Sequence, residues 1–254
     1  MEESHQSTEQ IETASASPAA APKSIWSIMV GVFTGPAAAF ESFKAQPSWV
    51  IPLIVVMLLG GVNGTLMGPY GGQAQVDMLR TSTSLPPEVM DKMIENAAES
   101  SPVTSFLGGA FFLGFVTLLT AGVVMIFGKF LFGGSATFMP IWGVTLLAEL
   151  IGMVGGLLRM PLVFAKDTMF VSYGLASLMP GKDLTSIFYS LTYYCDFFWF
   201  WSAIVAGIGY ATLFGISRGK GLTASFVTFF MFVVLMILLS SVGLSFAGVE
   251  ISFF

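Results

Sequence analysis

Residues able to support acid–base, nucleophilic or metal chemistry are scarce in this chain of 254 residues. Its single histidine, His5, lies in a polar N-terminal segment, so Ser-His-Asp, Cys-His and His-based metal chemistry are not expected in the apolar body. Its single cysteine, Cys195, lies in an apolar aromatic run and cannot form an internal disulfide. We therefore expect a protein that is not an enzyme and that has no cofactor and no metal site.

Glu149 is the acid that lies near the middle of an apolar segment. A charge at that depth costs at least about 2.5 kcal/mol on insertion scales, so an intramembrane acid is a candidate functional residue. Two hypotheses stay open. Either Glu149 makes a structural hydrogen bond to a neighbouring helix, or it handles protons, ions or lipid.

Two further charged residues, Arg159 and Asp196, are predicted near the outer membrane interface. Arg159 lies about 15 Å along a helix from Glu149, which is too far for a direct pair within that helix. Arg159 and Asp196 could instead form an ion pair between two neighbouring spans. An intramembrane enzyme that used acids alone would need Glu149 and Asp196 in one cavity, and we place them at different depths.

The composition around these residues is that of an integral membrane protein. Hydrophobic residues make up 55% of the chain and charged residues 10%, whereas a soluble domain carries about 25% charged residues. The mean hydropathy is +0.82. No basic patch favours nucleic-acid binding, and the lipid bilayer is the expected environment.

Five segments are apolar over the roughly 20 residues that a helix needs to cross a bilayer. No alternating pattern is long enough for a barrel, and lipid requires internally satisfied backbone groups, so the predicted class is an all-α membrane protein. Residues 1–23 form a polar tail predicted to be disordered, and residues 24–254 form one membrane domain. The predicted spans cover about 49–67, 103–127, 140–160, 194–216 and 222–244.

Short helices are predicted outside the spans. The segment "KSIWSIMVGVF" has one apolar helical stripe, and Pro36 after Gly35 begins a second helix that Pro47 ends. We expect both at the cytoplasmic interface, with the first packed either on lipid or in a groove of the protein. A surface helix is predicted from about Pro87 to Ala98, and Asp183 is expected to cap another through "LTSIFYSLTYY".

The basic residues predict the orientation, although they are divided evenly between the two sides. Those on one side lie on short segments beside span ends, whereas those on the other side include two in a long acidic loop. The N-terminus is therefore expected in the cytoplasm and the C-terminus outside. The basic residues beside span ends that decide the orientation are Lys44, Lys129, Arg218 and Lys220.

Small residues recur every four positions in two of the spans, which allows another helix to approach closely. Two interpretations of these rows stay open. The first is tight packing between helices of the same chain, and the second is self-association or binding to another membrane protein. The longer row continues to Gly219 in "GISRGKGLT", which fails as a phosphate-binding loop because its glycine spacing and its last position do not match. The rows are Ala203, Gly207, Ala211 and Gly215 in the fourth span, and Ala148, Gly152 and Gly156 in the third.

Three stretches of the sequence together resemble a known family. They are "FTGPAAAFESFKAQPSWVIPLI", "LFGGSATF" and "DFFWFWSAIVAGIGYATLFGISRGKGLTASF", and the resemblance covers roughly Ile25 to Leu244. In order and spacing they resemble the Yip family of Ypt-interacting membrane proteins, in its bacterial form. The matching positions are Pro36, Phe40, Pro47, Trp49, Pro52, Gly134, Thr137, Phe138, Asp196, Trp201, Gly207, Gly209, Ser217, Arg218, Gly219 and Lys220.

The resemblance implies five spans, a cytoplasmic N-terminus and a scaffold that binds other membrane proteins or itself. Because the resemblance is to the bacterial form, we expect the membrane to be the bacterial inner membrane. The chain departs from the family pattern because Glu149 lies where a proline is expected in the third span, and because its polar tail differs from the longer cytosolic regions of eukaryotic members. Binding of a GTPase is therefore not expected. The leading hypothesis is a non-enzymatic scaffold or assembly factor, and the alternative is a small transporter, channel or lipid-handling protein centred on Glu149.

Overall fold

A computed structural model describes residues 24–80, 86–98, 101–179 and 186–246. Within these ranges the chain is helical and forms no strand apart from an isolated bridge between Gly174 and Asp196, which confirms the all-α class. A π-helical turn, Phe127–Leu131, follows the fifth helix, and a 3₁₀ turn, Leu175–Leu178, precedes the seventh. The α-helices are α1 (Ile25–Thr34), α2 (Pro36–Ala45), α3 (Val50–Arg80), α4 (Pro87–Ala98), α5 (Pro102–Ile126), α6 (Phe138–Lys166), α7 (Ile187–Tyr194), α8 (Phe197–Phe214) and α9 (Arg218–Phe246).

Five of these helices are long and apolar enough to cross a membrane, as the sequence predicts. Two run well past their predicted ends, because α3 continues through Pro69 and α6 through Pro161. Proline is tolerated inside membrane helices where neighbouring groups satisfy the freed backbone. The apolar stretches are Val50–Asp77, Pro102–Leu131, Phe138–Lys166, Phe197–Phe214 and Arg218–Val242.

The fourth span is shorter than predicted at both ends. Asp196 is the N-cap of α8, and its side chain accepts a hydrogen bond from the Phe198 N–H. Gly215 ends the helix with φ at 68°, a left-handed conformation that favours glycine. α9 then begins at Arg218, ahead of the start at about residue 222 that is predicted for the fifth span.

The helices α1 and α2 form a hairpin that reaches into the bundle. Gly31 in α1 packs close to Ala39 in α2, and the stripe containing Ile28 and Val32 is buried in the core. The apolar face of α1 therefore packs on protein, which settles the alternative that the sequence left open.

The first helix of this hairpin also contacts two of the long helices, α6 and α8. The Phe33 ring lies 5.9 Å from the Trp201 ring, and α1 shares a groove with Leu150 of α6. Leu150 lies about 18 Å along α6 from its first residue. The apolar side chains of α1 therefore pack in a groove formed by neighbouring spans, and the expected position of the hairpin at the cytoplasmic interface stays a prediction.

The two short helices predicted beyond the spans are present. α4 has the predicted bounds, Pro87–Ala98. α7 is preceded by Ser186, whose hydroxyl accepts a hydrogen bond from the Tyr189 N–H at 3.2 Å and so caps the helix. The expected cap Asp183 lies outside the described residues.

Candidate functional site

A cavity of about 120 Å³ lies between α5, α6, α8 and α9 and contains Glu149 in its wall. The rest of the wall is apolar, apart from a set of hydroxyl groups contributed by all four helices. The oxygen-bearing side chains of the wall are Thr120, Thr145, Glu149, Ser202, Tyr210, Ser225 and Thr228.

Glu149 faces this cavity from α6, which has the largest buried share of the five spans. Over the two turns before Glu149, the residues from Ile141 to Ala148 are all buried, whereas Glu149 is half-buried. Gly152 lies one turn further on, and a Cβ there would be 3.4 Å from Glu149 Oε1. Among the described residues no side chain makes a hydrogen bond or ion pair with Glu149, so its carboxylate is open to a ligand.

The hydroxyl groups of the wall are mostly committed as donors to backbone carbonyls. Ser202 Oγ donates to the Ala148 carbonyl at 2.9 Å and thereby joins α8 to α6. Ser225 Oγ donates to the Ala203 carbonyl at 2.7 Å and joins α9 to α8. The lone pairs of these two oxygens accept no hydrogen bond from the described residues.

Three further hydroxyls complete the wall. Thr145 Oγ1 and the Tyr210 hydroxyl lie 2.9 Å apart, and Tyr210 is almost fully buried. Thr228 is also buried, and its Oγ1 has no hydrogen-bond partner in the described part of the chain. An unpartnered buried hydroxyl costs roughly 1–3 kcal/mol, so Thr228 is a second polar group that a ligand could satisfy.

Asp196 lies outside the cavity, at the start of α8. It is 5% exposed, and both of its oxygens accept backbone N–H groups at 2.9 Å, Oδ1 from Phe198 and Oδ2 from Tyr173. An acid is favoured there because the N-terminus of a helix carries partial positive charge. Asp196 therefore holds the segment before α7 against α8, and it does not share a cavity with Glu149.

Arg159 forms a side-chain hydrogen bond with a tyrosine, Tyr193, and not with Asp196. Its Nη1 donates to the Tyr193 hydroxyl at 2.9 Å and to the Val171 carbonyl at 3.4 Å. Burial raises the pKa of Tyr193, and the guanidinium opposes this rise, so the hydroxyl stays protonated near pH 7. The ion pair between Arg159 and Asp196 does not form within the described ranges, because backbone donors already occupy the carboxylate.

The small-residue row of α8 is used inside the chain. A Cβ at Gly207 would meet the Leu222 backbone, and one at Gly221 would meet Ala211, so α8 and α9 are in close contact there. Ala203 is buried on the same helix. Gly215 is the helix cap, and a Cβ at Gly219 would meet nothing within 4 Å, so neither belongs to this close contact.

The row of α6 is divided between two neighbours. Ala148 is buried and accepts the hydrogen bond from Ser202, whereas Gly152 lies beside Glu149. A Cβ at Gly156 would lie 2.7 Å from Asn63 Nδ2 of α3. The two rows thus support intramolecular contacts, with Gly152 also forming part of the cavity wall.

The residues that carry the family resemblance at the entry to the first span lie where the hairpin meets the bundle. Pro36 is the first residue of α2, Pro47 lies between α2 and α3, and Pro52 is buried in the first turn of α3. Phe40 is fully buried. The Trp49 ring stacks on Trp142 of α6 at 5.2 Å.

The remaining resemblance residues support helix contacts or lie exposed. A Cβ at Gly209 would collide with Val144 and Phe40, and one at Gly134 would collide with Phe214. The Phe138 ring lies 6.4 Å from Trp142 and Trp201 contacts Phe33, while Arg218, Gly219 and Lys220 are exposed at the start of α9.

Sequence reasoning missed three features. A Cβ at Gly60, Gly64 or Gly109 would each meet the facing helix, which shows that α3 and α5 are in close contact. The spacing of Gly60 and Gly64 is a GxxxG signal that could have revealed this contact. Tyr210 and Thr228 gave no comparable signal, because single hydroxyls in apolar helices do not indicate which helix they face.

The fold and these contacts define an integral membrane protein with five candidate spanning helices, an N-terminal hairpin and, within the described residues, an acid on α6 that faces a cavity. Within the described ranges, no group of three or more His, Cys, Asp or Glu residues is placed to hold a metal ion.

The Yip1 domain model matches residues 30–241, and the chain therefore belongs to the Yip1 domain family. The chain is also similar to Membrane protein YknW of Bacillus subtilis (strain 168), with 24% identity over 211 residues that cover 81% of this chain and 87% of YknW. No solved structure gives a significant match.

Proposed function

We propose that this protein is a non-enzymatic membrane scaffold or assembly factor that binds other integral membrane proteins. The observation that carries this proposal is an apolar groove of about 360 Å³ at the side of the bundle, beside α1 and between α3 and α6. We call it the lateral groove. Its lining is Trp26, Met29, Val30, Phe33, Thr34, Leu59, Leu150 and Val154.

The lateral groove is suited to a transmembrane helix of a partner. Trp26 and Val30 remain 59% and 67% exposed beside it, and tryptophan is frequent at the energetic centres of protein interfaces. Helices in lipid associate by close van der Waals packing. Because the small-residue rows of α6 and α8 are already used inside the chain, we assign the partner to this groove, which is concave and can take large apolar side chains.

Site-specific photo-crosslinking in the native membrane tests this role. A photoreactive residue in place of Val30 should crosslink in a fixed ratio to one membrane protein, whereas the same residue in place of Leu239, which is 57% exposed on α9, should not. Val154→Trp should fill the lateral groove and abolish the crosslink. Crosslinks to lipid alone, or equal capture from both positions, would contradict the proposal, and a crosslink to a second copy would redirect it to self-association.

We also propose the bacterial inner membrane, with the N-terminus in the cytoplasm. Lys44 Nζ donates to the Thr212 carbonyl at 2.9 Å near the end of α8, and Gly134 packs on Phe214 at that same end. One end of the bundle therefore carries the basic residues Lys44, Lys129, Arg218 and Lys220.

Thiol labelling tests the orientation. A membrane-impermeant thiol reagent should label native Cys195 from outside. In a Cys195→Ser background, Lys220→Cys should stay unlabelled until the membrane is permeabilised. The reverse pattern would invert the orientation.

The Glu149 cavity favours a second candidate function, the handling of a small solute, ion or lipid. A scaffold needs no unpartnered carboxylate at that depth, and such an acid costs free energy. Glu149→Gln keeps size and hydrogen-bonding capacity, so a scaffold should retain partner crosslinking with this variant. A protein that moves a charged ligand should lose its activity.

A further inference from the structure

We infer that the Glu149 cavity is a binding site for a small organic ammonium ion. The inference goes beyond the scaffold role and does not depend on it, because the cavity and the lateral groove share no lining residue. Binding at the cavity and crosslinking at the groove can therefore succeed or fail separately.

The charge of the wall calls for a cation. Glu149 is the one ionisable carboxylate among the lining residues, and they include no lysine, arginine or histidine. Arg159, the basic residue nearest to Glu149 along the same helix, is committed to Tyr193 and Val171 outside the cavity. A positive ligand would supply the partner that Glu149 lacks in the described structure.

The hydroxyl groups of the wall favour a ligand that donates hydrogen bonds. Ser202, Ser225 and Thr120 each donate to a backbone carbonyl, at 2.9, 2.7 and 2.8 Å. Each hydroxyl has one proton and two lone pairs, so once the proton is used the oxygen acts as an acceptor. An ammonium group brings up to three N–H donors to such a surface.

The size and the aromatic residues of the cavity favour an organic cation over a bare metal ion. The volume is about 120 Å³, whereas one water needs roughly 10–15 Å³ on the same kind of measure. A bare ion would leave most of this space empty. Trp199, Phe229 and Phe232 also line the cavity, and they can pack against alkyl carbons or attract the cation through their ring faces.

The test uses the full-length protein in nanodiscs of phosphatidylglycerol alone, which carries no amine. Ethylammonium chloride should raise the unfolding temperature by about 3 °C at ten times its Kd, and sodium chloride at equal ionic strength should not. Glu149→Gln should abolish the shift, whereas the matched control Glu41→Gln, on the exposed face of α2, should keep it. Absence of a shift, or an equal shift with sodium, would overturn the inference.

A second variant guards against misfolding of Glu149→Gln. Thr228→Val is nearly isosteric and removes the buried hydroxyl without a partner, so the fold should be retained. The ethylammonium Kd should rise several-fold if this hydroxyl contacts the ligand side of the wall. An unchanged response in Thr228→Val together with an unchanged response in Glu149→Gln would place any binding elsewhere and refute the site.

The same assay distinguishes a lipid amine from a free amine. Nanodiscs containing phosphatidylethanolamine should remove the response to ethylammonium if a lipid headgroup occupies the cavity. Native mass spectrometry should then find that lipid retained by the wild type and lost from Glu149→Gln. If the response persists in these discs, the ammonium ligand is a free amine.

Discussion

Two acids in this protein, Asp196 and Glu149, have opposite surroundings. Asp196 is buried at the start of α8, and backbone N–H groups of Phe198 and Tyr173 bind both of its oxygens. Glu149 lies in the middle of α6, faces a cavity and has no partner among the described residues. An acid whose oxygens accept hydrogen bonds from the fold contributes to stability. An acid whose oxygens have no such donors is available to a ligand.

The contrast also separates two ways of tolerating charge in a membrane protein. At Asp196 the positive end of a helix and two donors compensate the burial of the charge. At Glu149 neither a hydrogen bond nor an ion pair from the described residues compensates the charge. We therefore expect substitutions at Asp196 to act on the folded structure and substitutions at Glu149 to act on binding.

The largest effect is expected for Asp196→Ala, with a loss of about 3 kcal/mol in the free energy of unfolding. The change leaves two buried N–H groups without acceptors, and hydrogen bonds to charged groups are worth about 1.5–3 kcal/mol. Denaturant titration of the purified protein in detergent, followed by circular dichroism, measures the loss.

Asp196→Asn is the matched control for this change. The amide keeps one acceptor oxygen and loses the other, so about half of the loss should remain. A stability of Asp196→Ala equal to that of the wild type would show that these two contacts do not support α8.

A smaller effect is expected at the contact between α3 and α5, where packing alone is changed. A Cβ at Gly109 would collide with the Gly60 carbonyl and lie 3.1 Å from the Gly64 Cα, whereas a Cβ at the adjacent Gly108 meets nothing within 4 Å. Gly109→Ala should lower the free energy of unfolding by about 2 kcal/mol.

The neighbouring substitution provides its own control. Gly108→Ala should leave stability unchanged or slightly higher, because alanine has the better helix propensity. Equal effects of the two changes in the same denaturant titration would mean that α3 and α5 are less tightly packed than the structure shows.

The number and type of the spans follow from the sequence because lipid imposes a length and a composition on each crossing helix. The bounds of α4 and the break at Gly35 follow from proline and glycine positions for the same local reasons. These features depend on a few neighbouring residues, so no knowledge of the packing is needed to predict them.

Features that depend on which helices face one another could not be predicted. Phe33 of α1 lies beside Trp201, and Arg159 donates to Tyr193 and not to Asp196. Both contacts depend on the rotation of whole helices, which the sequence does not give. Glu149 was predicted as a candidate from its depth alone, but all the hydroxyls around it except that of Thr145 come from three other helices. The periodicity of a single segment does not predict such contacts between helices.

A modest effect is expected for Tyr210→Phe, which tests whether the hydroxyl network of the cavity stabilises the fold. The change removes the hydrogen bond between Tyr210 and Thr145. Hydrogen bonds between membrane helices average about 0.6 kcal/mol, so the free energy of unfolding should fall by about that amount. A loss as large as that of Asp196→Ala would show that the wall is structural and would weaken the distinction between the two acids.

The smallest effect on stability is expected for Glu149→Gln in the absence of any ligand. The carboxylate contributes no hydrogen bond or ion pair among the described residues, and glutamine has nearly the same shape. The free energy of unfolding should therefore stay within about 0.5 kcal/mol of the wild type, or rise because a partly buried charge is removed. Denaturant titration in lipid free of amines checks this value. A loss of several kcal/mol would mean that Glu149 has a structural partner after all, and the two acids would then differ only in where they lie.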